Sequence, residues 1–391
     1  MTTRRTALLE EIASISGGGT PSRSEPSYFG GNVAWATPTD ITALDGLYLS
    51  TTKERITDEG LRNSSTNLLP PGAVLLTSRA TIGFTAVSQV PVTTNQGFVN
   101  FVCGPEILPE YLAYWLRTQR AKMLQHAGGT TFKEIARGTL RKFAISFPPI
   151  PTQRLTIDLI SQAESIVRLR REARRKAADL IPALFVDMFG DPGENPNRYP
   201  LRPVSSFVSR FEGGKNLQAG DAGGSPFRIL KVSAVTSGTY RESESKPTPN
   251  NYAPPANHLV KVGDLLFSRA NTVELVGATA MVEATNGSTL LPDKLWRFLW
   301  DEEIEPRYVH ALFQSTHVRR ELGRLATGTS ASMKNISQAK LFALELPIAP
   351  LPLQRRFSAR AQQIQSISAQ QSAASASAFE TYAALEARLF S

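Results

Sequence analysis

The sequence predicts an α+β fold: two similar domains separated by a long antiparallel two-helix coiled coil, with an internal pseudo-two-fold duplication. Three observations predict it. Two long segments without internal glycine, residues 152–189 and 353–390, carry apolar residues at helical spacing. A shift of 201 residues superposes their landmarks, Gln153 on Gln354, Arg154 on Arg355, Leu184 on Leu385 and Phe189 on Phe390. The glycine- and proline-rich regions before them match each other in the same order.

In chain order, 1–150 reads as the first domain, 151–190 as the first long helix, 191–350 as the second domain and 351–391 as the second long helix. Each domain opens on a glycine-bearing turn, SISGGGTPS at 14–22 and RFEGGKN at 210–216. Strands are predicted at 73–78 and 264–268. There VLLTSRA matches DLLFSRA and places Arg79 on Arg269. One amphipathic helix follows in each, with Leu112, Trp115 and Leu116 on one face, and Val309, Leu312 and Phe313 in the copy. GGTTFKEI matches TGTSASMKNI, placing Lys133 on Lys334 and Ile135 on Ile336. A last strand, 143–147 or 342–346, leads through prolines into the long helix.

Each long helix would extend roughly 55 Å at ~1.5 Å per residue. The seam predicted on the first is Leu155, Leu159, Ile166, Leu169, Ala173, Leu180 and Leu184. On the second it is Phe357, Ile364, Ala378 and Leu385, with Ile367 and Ala374 between. An apolar stripe needs a partner, and each helix is the other's nearest match. Pro182 predicts a kink near the end of the first, and Gly190 with Pro192 its stop.

Composition narrows the function. The 391 residues are 41% hydrophobic, ordinary for a chain with real cores. No apolar run long enough to span a membrane occurs, and the N-terminal stretch lacks an export-signal core, so a cytoplasmic location is expected. The single cysteine, Cys103, excludes intrachain disulfides and cysteine zinc sites, and reads as a small buried hydrophobe. The four histidines show no metal-ligand spacing, and there is no Walker A loop, GxSxG or dinucleotide fingerprint. An enzyme is therefore disfavoured. A net charge of +9 favours a polyanionic partner.

The binding candidates follow from chemistry. Arg79 and Arg269 sit at strand ends. Lys133 and Lys334 lie in small-residue loops beside Thr130, Thr131, Thr329 and Ser330, where hydroxyls, backbone N–H groups and an ammonium can meet phosphates. The diverged segments hold side chains suited to base edges: Thr20, Ser22, Arg23, Ser24, Tyr28, Lys53 and Arg55 in the first half, and Lys215, Asn216, Gln218, Arg241 and Lys246 in the second. The run RLRREARRK at 168–176 suits a solvated face, DNA phosphates or an acidic partner. Trp35 and Trp296 read as core.

SGGGTPSRSEPSYFGGNVAWATPTDI, GAVLLTSRATIG, the FPPIPTQ leading into a long helix, and LFVDMFGDPGENPNRYP are the strings that carry a resemblance. With the duplicated architecture, the chain resembles the DNA-specificity subunit of type I restriction–modification systems. The second half departs from the pattern, with RFEGGKNLQ in place of a GGTP turn. The resemblance implies two target recognition domains, each reading one half of a bipartite, interrupted site in double-stranded DNA. It implies a non-catalytic chain whose paired helices space the domains and dock two methyltransferase (modification) subunits, with restriction subunits joining to make the nuclease. It assigns S-adenosylmethionine, ATP and Mg²⁺ to those partners and no cofactor to this chain. The other readings are a stand-alone nucleic-acid-binding scaffold and a nuclease with an unrecognised site.

Overall fold

The computed structural model describes residues 4–129, 133–219, 225–330 and 333–390. The chain divides into two compact units, Met1–Ala173 with Gln371–Ser391, and Arg174–Gln370. The long helices, α3 (Ile150–Phe189) and α6 (Leu351–Phe390), each contribute one half to each unit.

The first unit is built on a five-stranded sheet in the order Ala13–Gly17, Phe98–Cys103, Val74–Thr77, Thr85–Ser88, Tyr48–Leu49. The second has four strands, Val208–Gly213, Leu295–Trp300, Leu265–Ser268 and Thr279–Met281, matching the first four. Each unit adds a three-stranded sheet whose middle strand, Phe29–Ala36 or Arg228–Leu230, has one antiparallel and one parallel neighbour. The inner strands Val74–Thr77 and Leu265–Ser268 are short and buried at every position, as a sheet covered on both faces requires.

Two helices pack on the sheet in each unit, where the sequence predicted one. They are α1 (Pro109–Thr118) and α2 (Arg120–His126) in the first, and α4 (Pro306–Gln314) and α5 (Thr316–Leu325) in the second. Proline opens α1 and α4, where its missing N–H costs nothing. The break after α4 comes at Ser315, whose hydroxyl accepts from Val318 N and caps α5.

The long helices are tied to each unit by the same two devices. Gln153, fully buried, accepts from Leu108 N at 2.9 Å and donates to the carbonyls of Glu106 and Pro148. Gln354 accepts from Glu305 N at 3.1 Å and donates to Ala349 O. Each amide thus closes the turn that starts α1 or α4. At the far ends, the Phe390 ring lies 5.1 Å from Tyr111, and Phe189 lies 5.0 Å from Tyr308. Such aromatic pairs add about 0.5–1.5 kcal/mol beyond their area. Within each unit, therefore, the start of one long helix packs beside the end of the other, which is the antiparallel pairing.

The seam on α3 differs from the predicted one. Leu155, Leu159, Ile166, Leu169 and Leu180 are all about half exposed or more, from 49% to 64%. The covered side runs through Gln153, Thr156, Ile160, Ala163, Val167, Ala177, Ile181, Leu184 and Met188. Its spacing alternates three and four, and it is one residue out of frame with the leucines. On α6 the predicted Phe357, Ile364, Ala378 and Leu385 do lie on the covered side, while Ile367 is 55% exposed. Carrying the α6 frame back by 201 residues lands on Thr156, Ala163, Ala177 and Leu184. At Thr156 and Ala163 α3 carries smaller covered residues than α6 does at Phe357 and Ile364, while Phe185 and Phe189 of α3 are themselves buried in the core. Pro182 sits inside one continuous α3, on its exposed side.

A second correction concerns Arg79 and Arg269. Ladder register equates Thr77 with Ser268: Gly83 N donates to Thr77 O, and Gly277 N to Ser268 O. Both glycines have positive φ, +95° and +79°. Arg269 therefore occupies the place of Ser78, and Arg79 that of Ala270. A one-residue slip turns a strand side chain to the opposite face. The matching strings VLLTSRA and DLLFSRA align letters, not positions in the sheet.

Candidate nucleic-acid interface

In the first unit the glycine turn organises one edge. Gly19 N donates to Thr94 O at 2.9 Å, and Trp35 Nε1 donates to Gly19 O at 3.1 Å. A Cβ on Gly18 would come 2.0 Å from Asn95 O, and one on Gly19 2.3 Å from Ser65 Oγ. Only glycine permits that approach. The turn brings Thr20 to Gln96, whose Oε1 accepts from the threonine hydroxyl. Gly97 O then accepts from Ser78 N, which places Arg79 beside this loop. Ala80, at φ +58°, donates to Lys133 O, and Arg79 Nε lies 3.8 Å from Glu134 Oε2. Arg137 closes the set: a Cβ on Gly17 would sit 3.6 Å from its Nη1.

Four segments thus meet at one edge: 17–20, 78–80, 95–97 and 133–137. They collect the cations of Arg79, Lys133 and Arg137 and the amides of Asn95 and Gln96. A cationic edge carrying amides holds phosphates and presents donors and acceptors to base edges. Arg137, Asn95 and Gln96 escaped the sequence reading. The polar TTNQG between two buried strands was the available signal for the amides. For Arg137 there was none, since only the fold returns it to Gly17.

The other first-half candidates form a separate cluster. Arg23 donates to both Glu54 oxygens, at 2.7 and 3.2 Å, and its guanidinium stacks 4.6 Å from the Phe29 ring and 5.0 Å from Trp35. The hydrogen bond to Glu54 holds the Arg23 pKa above its ordinary value. Both partners are solvent-facing, so this pair is worth only about 0–1 kcal/mol and can be exchanged for an anionic ligand. Ser22 and Ser24 share a hydrogen bond of 2.7 Å. Tyr28 accepts from Thr57 N through its carbonyl and is half-buried. Arg55 reaches Asn32 O at 3.4 Å.

The second unit builds its edge differently. Gly214 N donates to Pro292 O, and a Cβ there would meet Leu291 O at 1.8 Å. Exposed Lys215 and Asn216 follow. Lys246 Nζ fastens that loop through Leu217 O at 2.7 Å. Arg269 Nε donates to Asp293 O at 2.8 Å, its guanidinium is 3.7 Å from the Asp293 carboxylate, and it stacks 5.5 Å from Trp296. It braces the loop that corresponds to 95–97. Lys334 pairs opposite Asn271, as Lys133 does opposite Ala80, and its Nζ donates to Gly328 O at 2.6 Å. Gln338 stands where the first unit has Arg137 and donates to Phe211 O. Arg241 lies on another loop, with Nε 3.2 Å from Ser237 Oγ. Thr329 and Ser330 belong to the strand Thr327–Ser330. Thr130 and Thr131 lie outside the described residues.

Among the described residues no group of three or more His, Cys, Asp and Glu is placed to hold a metal ion, and no helix is long and apolar enough to cross a membrane. Cys103 is half-buried rather than buried, and burial raises its thiol to about 12, which removes it as a nucleophile.

Known proteins resemble this chain in sequence and in fold. Residues 5–177 match the family described as type I restriction modification DNA specificity domain. The chain is 31% identical over 183 residues to the type I restriction enzyme MjaIX specificity subunit of Methanocaldococcus jannaschii, covering 46% of this chain and 41% of that one. It is 30% identical over 184 residues to the EcoEI specificity subunit of Escherichia coli, covering 41% of this chain and 31% of that one. The matched stretch thus spans well under two thirds of these relatives. Two solved structures share the fold along the whole chain. One is the S subunit of a type I restriction-modification system from M. genitalium, with TM-score 0.60 and 12% identity over 100% of this chain and 96% of that one. The other comes from a study of complex assembly in a type I R-M system, with TM-score 0.62 and 17% identity over 100% and 98%.

Proposed function

We propose that this chain, whose residues 5–177 match the type I restriction modification DNA specificity domain, is the DNA-reading subunit of such a complex. Each unit reads one half of a bipartite, interrupted site in double-stranded DNA. The observation that carries this reading is the cationic, amide-bearing edge that a glycine turn builds in the first unit and, with different side chains, in the second. Conserved construction with diverged side chains is what two half-sites of different sequence require.

The chain itself is non-catalytic in this reading and binds no cofactor. S-adenosylmethionine, ATP and Mg²⁺ act on partner subunits. Residues 1–150 and 191–350 serve as the recognition domains, with 151–190 and 351–391 as spacer and docking helices. The exposed aliphatic residues of α3, Leu155, Leu159, Ile166 and Leu169, are the apolar surface on which a methyltransferase subunit docks. Two such subunits, and restriction subunits where the system has them, complete a cytoplasmic assembly.

The test is methylation-aware sequencing of DNA from cells carrying the cognate methyltransferase with and without this chain. One interrupted, two-part motif should be methylated only when the chain is present. An uninterrupted motif, or methylation that ignores the chain, would overturn the reading. In vitro, affinity for the site should fall steeply between about 50 and 200 mM salt.

A further inference from the structure

The first unit contains a cavity that shares no residue with the glycine-turn edge. It measures about 460 Å³ and lies where residues 41–46 and 83–85, α1, α2, α3 and α6 meet. Its charged lining is Arg117, Arg120, Arg168 and Arg171 against Asp45 and Glu164. Arg117 is consumed internally: it donates to Glu164 at 2.8 Å, to both oxygens of Thr85 and to Gly46 O. Glu164 also accepts from Tyr114, so its charge is matched. Three cations therefore remain to face the cavity against the single carboxylate of Asp45. Arg168 gives one N–H to Asp45 O at 3.2 Å, and Arg120 gives its Nε to Ile82 O at 3.1 Å. Their remaining N–H groups exceed these acceptors.

The rest of the wall is aromatic. Phe84, with Arg120 stacked 5.1 Å from its ring, Phe379 and Tyr382 line the cavity. Phe84 and Phe379 are exposed in this chain. Guanidinium forks bind phosphate bidentately, and aromatic faces take a planar ring. The volume suits a compact ligand rather than a length of polymer.

The second unit lacks these side chains. The shift that puts Tyr111 on Tyr308 puts Arg120 on His317. The 201-residue shift of the long helices puts Arg168 on Ala369, Arg171 on Ser372 and Phe379 on Ala178. Shared architecture therefore does not demand this lining; it belongs to one unit only.

We propose that this cavity binds one phosphorylated nucleoside per chain, its phosphates on Arg168 and Arg171 and its base against Phe379. The bound nucleotide would join α3 and α6 to the 41–46 and 83–85 segments of the same unit.

Isothermal titration of the full chain with AMP, ATP and inorganic phosphate tests this. One nucleotide per chain is expected, at least tenfold tighter than phosphate alone. R168A/R171A should weaken it at least tenfold, and F379A should weaken the nucleotide but not phosphate. All three positions face solvent, and circular dichroism checks that the variants remain folded. No binding at millimolar nucleotide would overturn the proposal. So would binding that R168A/R171A leaves unchanged, or phosphate binding as tightly as AMP. Displacement of the nucleotide by a short DNA duplex would assign these arginines to the DNA interface and overturn it too.

Discussion

The same place in the two sheets holds opposite chemistry. In the second unit Arg297 is 4% exposed on the central strand, with Nη1 2.9 Å from Asp264 and Nη2 3.2 Å from Glu212. It also donates to the carbonyls of Leu259 and Asn257. In the first unit the matching residue is Asn100, paired across strands with Leu75 and Ser16 as Arg297 is with Leu266 and Glu212. The place of Asp264 is taken by Ala73. Asn100 needs one bond, from Nδ2 to Thr94 Oγ1 at 2.8 Å, and its Oδ1 has no protein partner. One fold accepts an ion triad or a single amide, provided the set changes together. A buried charge is costly unless paired, and Arg297 meets two carboxylates although its Nε has no protein partner.

The largest effect should separate the units here. Arg297→Leu strands the Asp264 carboxylate, which burial already holds above its ordinary pKa, and takes one partner from Glu212, which keeps Arg210 and Asn257. A loss of about 3–5 kcal/mol is expected in the second unit, read as the free energy of its slowest-exchanging amides. Asn100→Leu should cost the first unit less than about 1 kcal/mol, because one bond is lost while an orphaned acceptor is removed. Rebuilding the first unit's set in the second, with Arg297→Asn, Glu212→Ser and Asp264→Ala together, should recover most of the loss. Equal costs for the two single substitutions would break the comparison.

Acid should sharpen it further. His310 lies half-buried in α4 against Thr279, with Nδ1 2.9 Å from Oγ1. Burial pushes its imidazole down to about 4. Its counterpart in the first unit is Ala113. A depressed histidine adds stability that is present above its unfolded pKa of ~6.5 and is lost as pH falls toward the folded value. The second unit should therefore weaken by about 3 kcal/mol between pH 6.5 and 4. Hydrogen exchange should show it opening first, and His310→Gln should abolish the difference. Identical acid profiles in wild type and variant would remove His310 as the cause.

The smallest effect is on DNA. Lys133 and Lys334 are candidate cations that the fold does place equivalently. Alanine at either should weaken binding severalfold, lower the salt slope by about one, and leave the methylated motif unchanged. A changed motif would make that lysine a base reader. Arg79→Ala should behave like the lysines. Arg269→Ala should in addition loosen the loop held by Asp293, because the two arginines are not counterparts.

The sequence alone determined the duplication, the two long helices, their antiparallel pairing and, except at Ile367, the second helix's seam. These rest on periodicity and repetition, which are local properties written once per turn or twice per chain. Trp35 and Trp296 were legible as core for the same reason, being large and flanked by strand pattern. Tertiary structure alone decided which face of α3 is covered. Leucine and threonine 100° apart compete for it, and the winner depends on Phe357, Tyr382 and Phe390 arriving from the other helix. It also decided the strand register that parts Arg79 from Arg269, since a single ladder step is set by glycine turns at Gly83 and Gly277 and not by the letters of the strand. And it decided the edge where Arg137 meets Gly17 across 120 residues of chain, because only the closed sheet brings those backbones together.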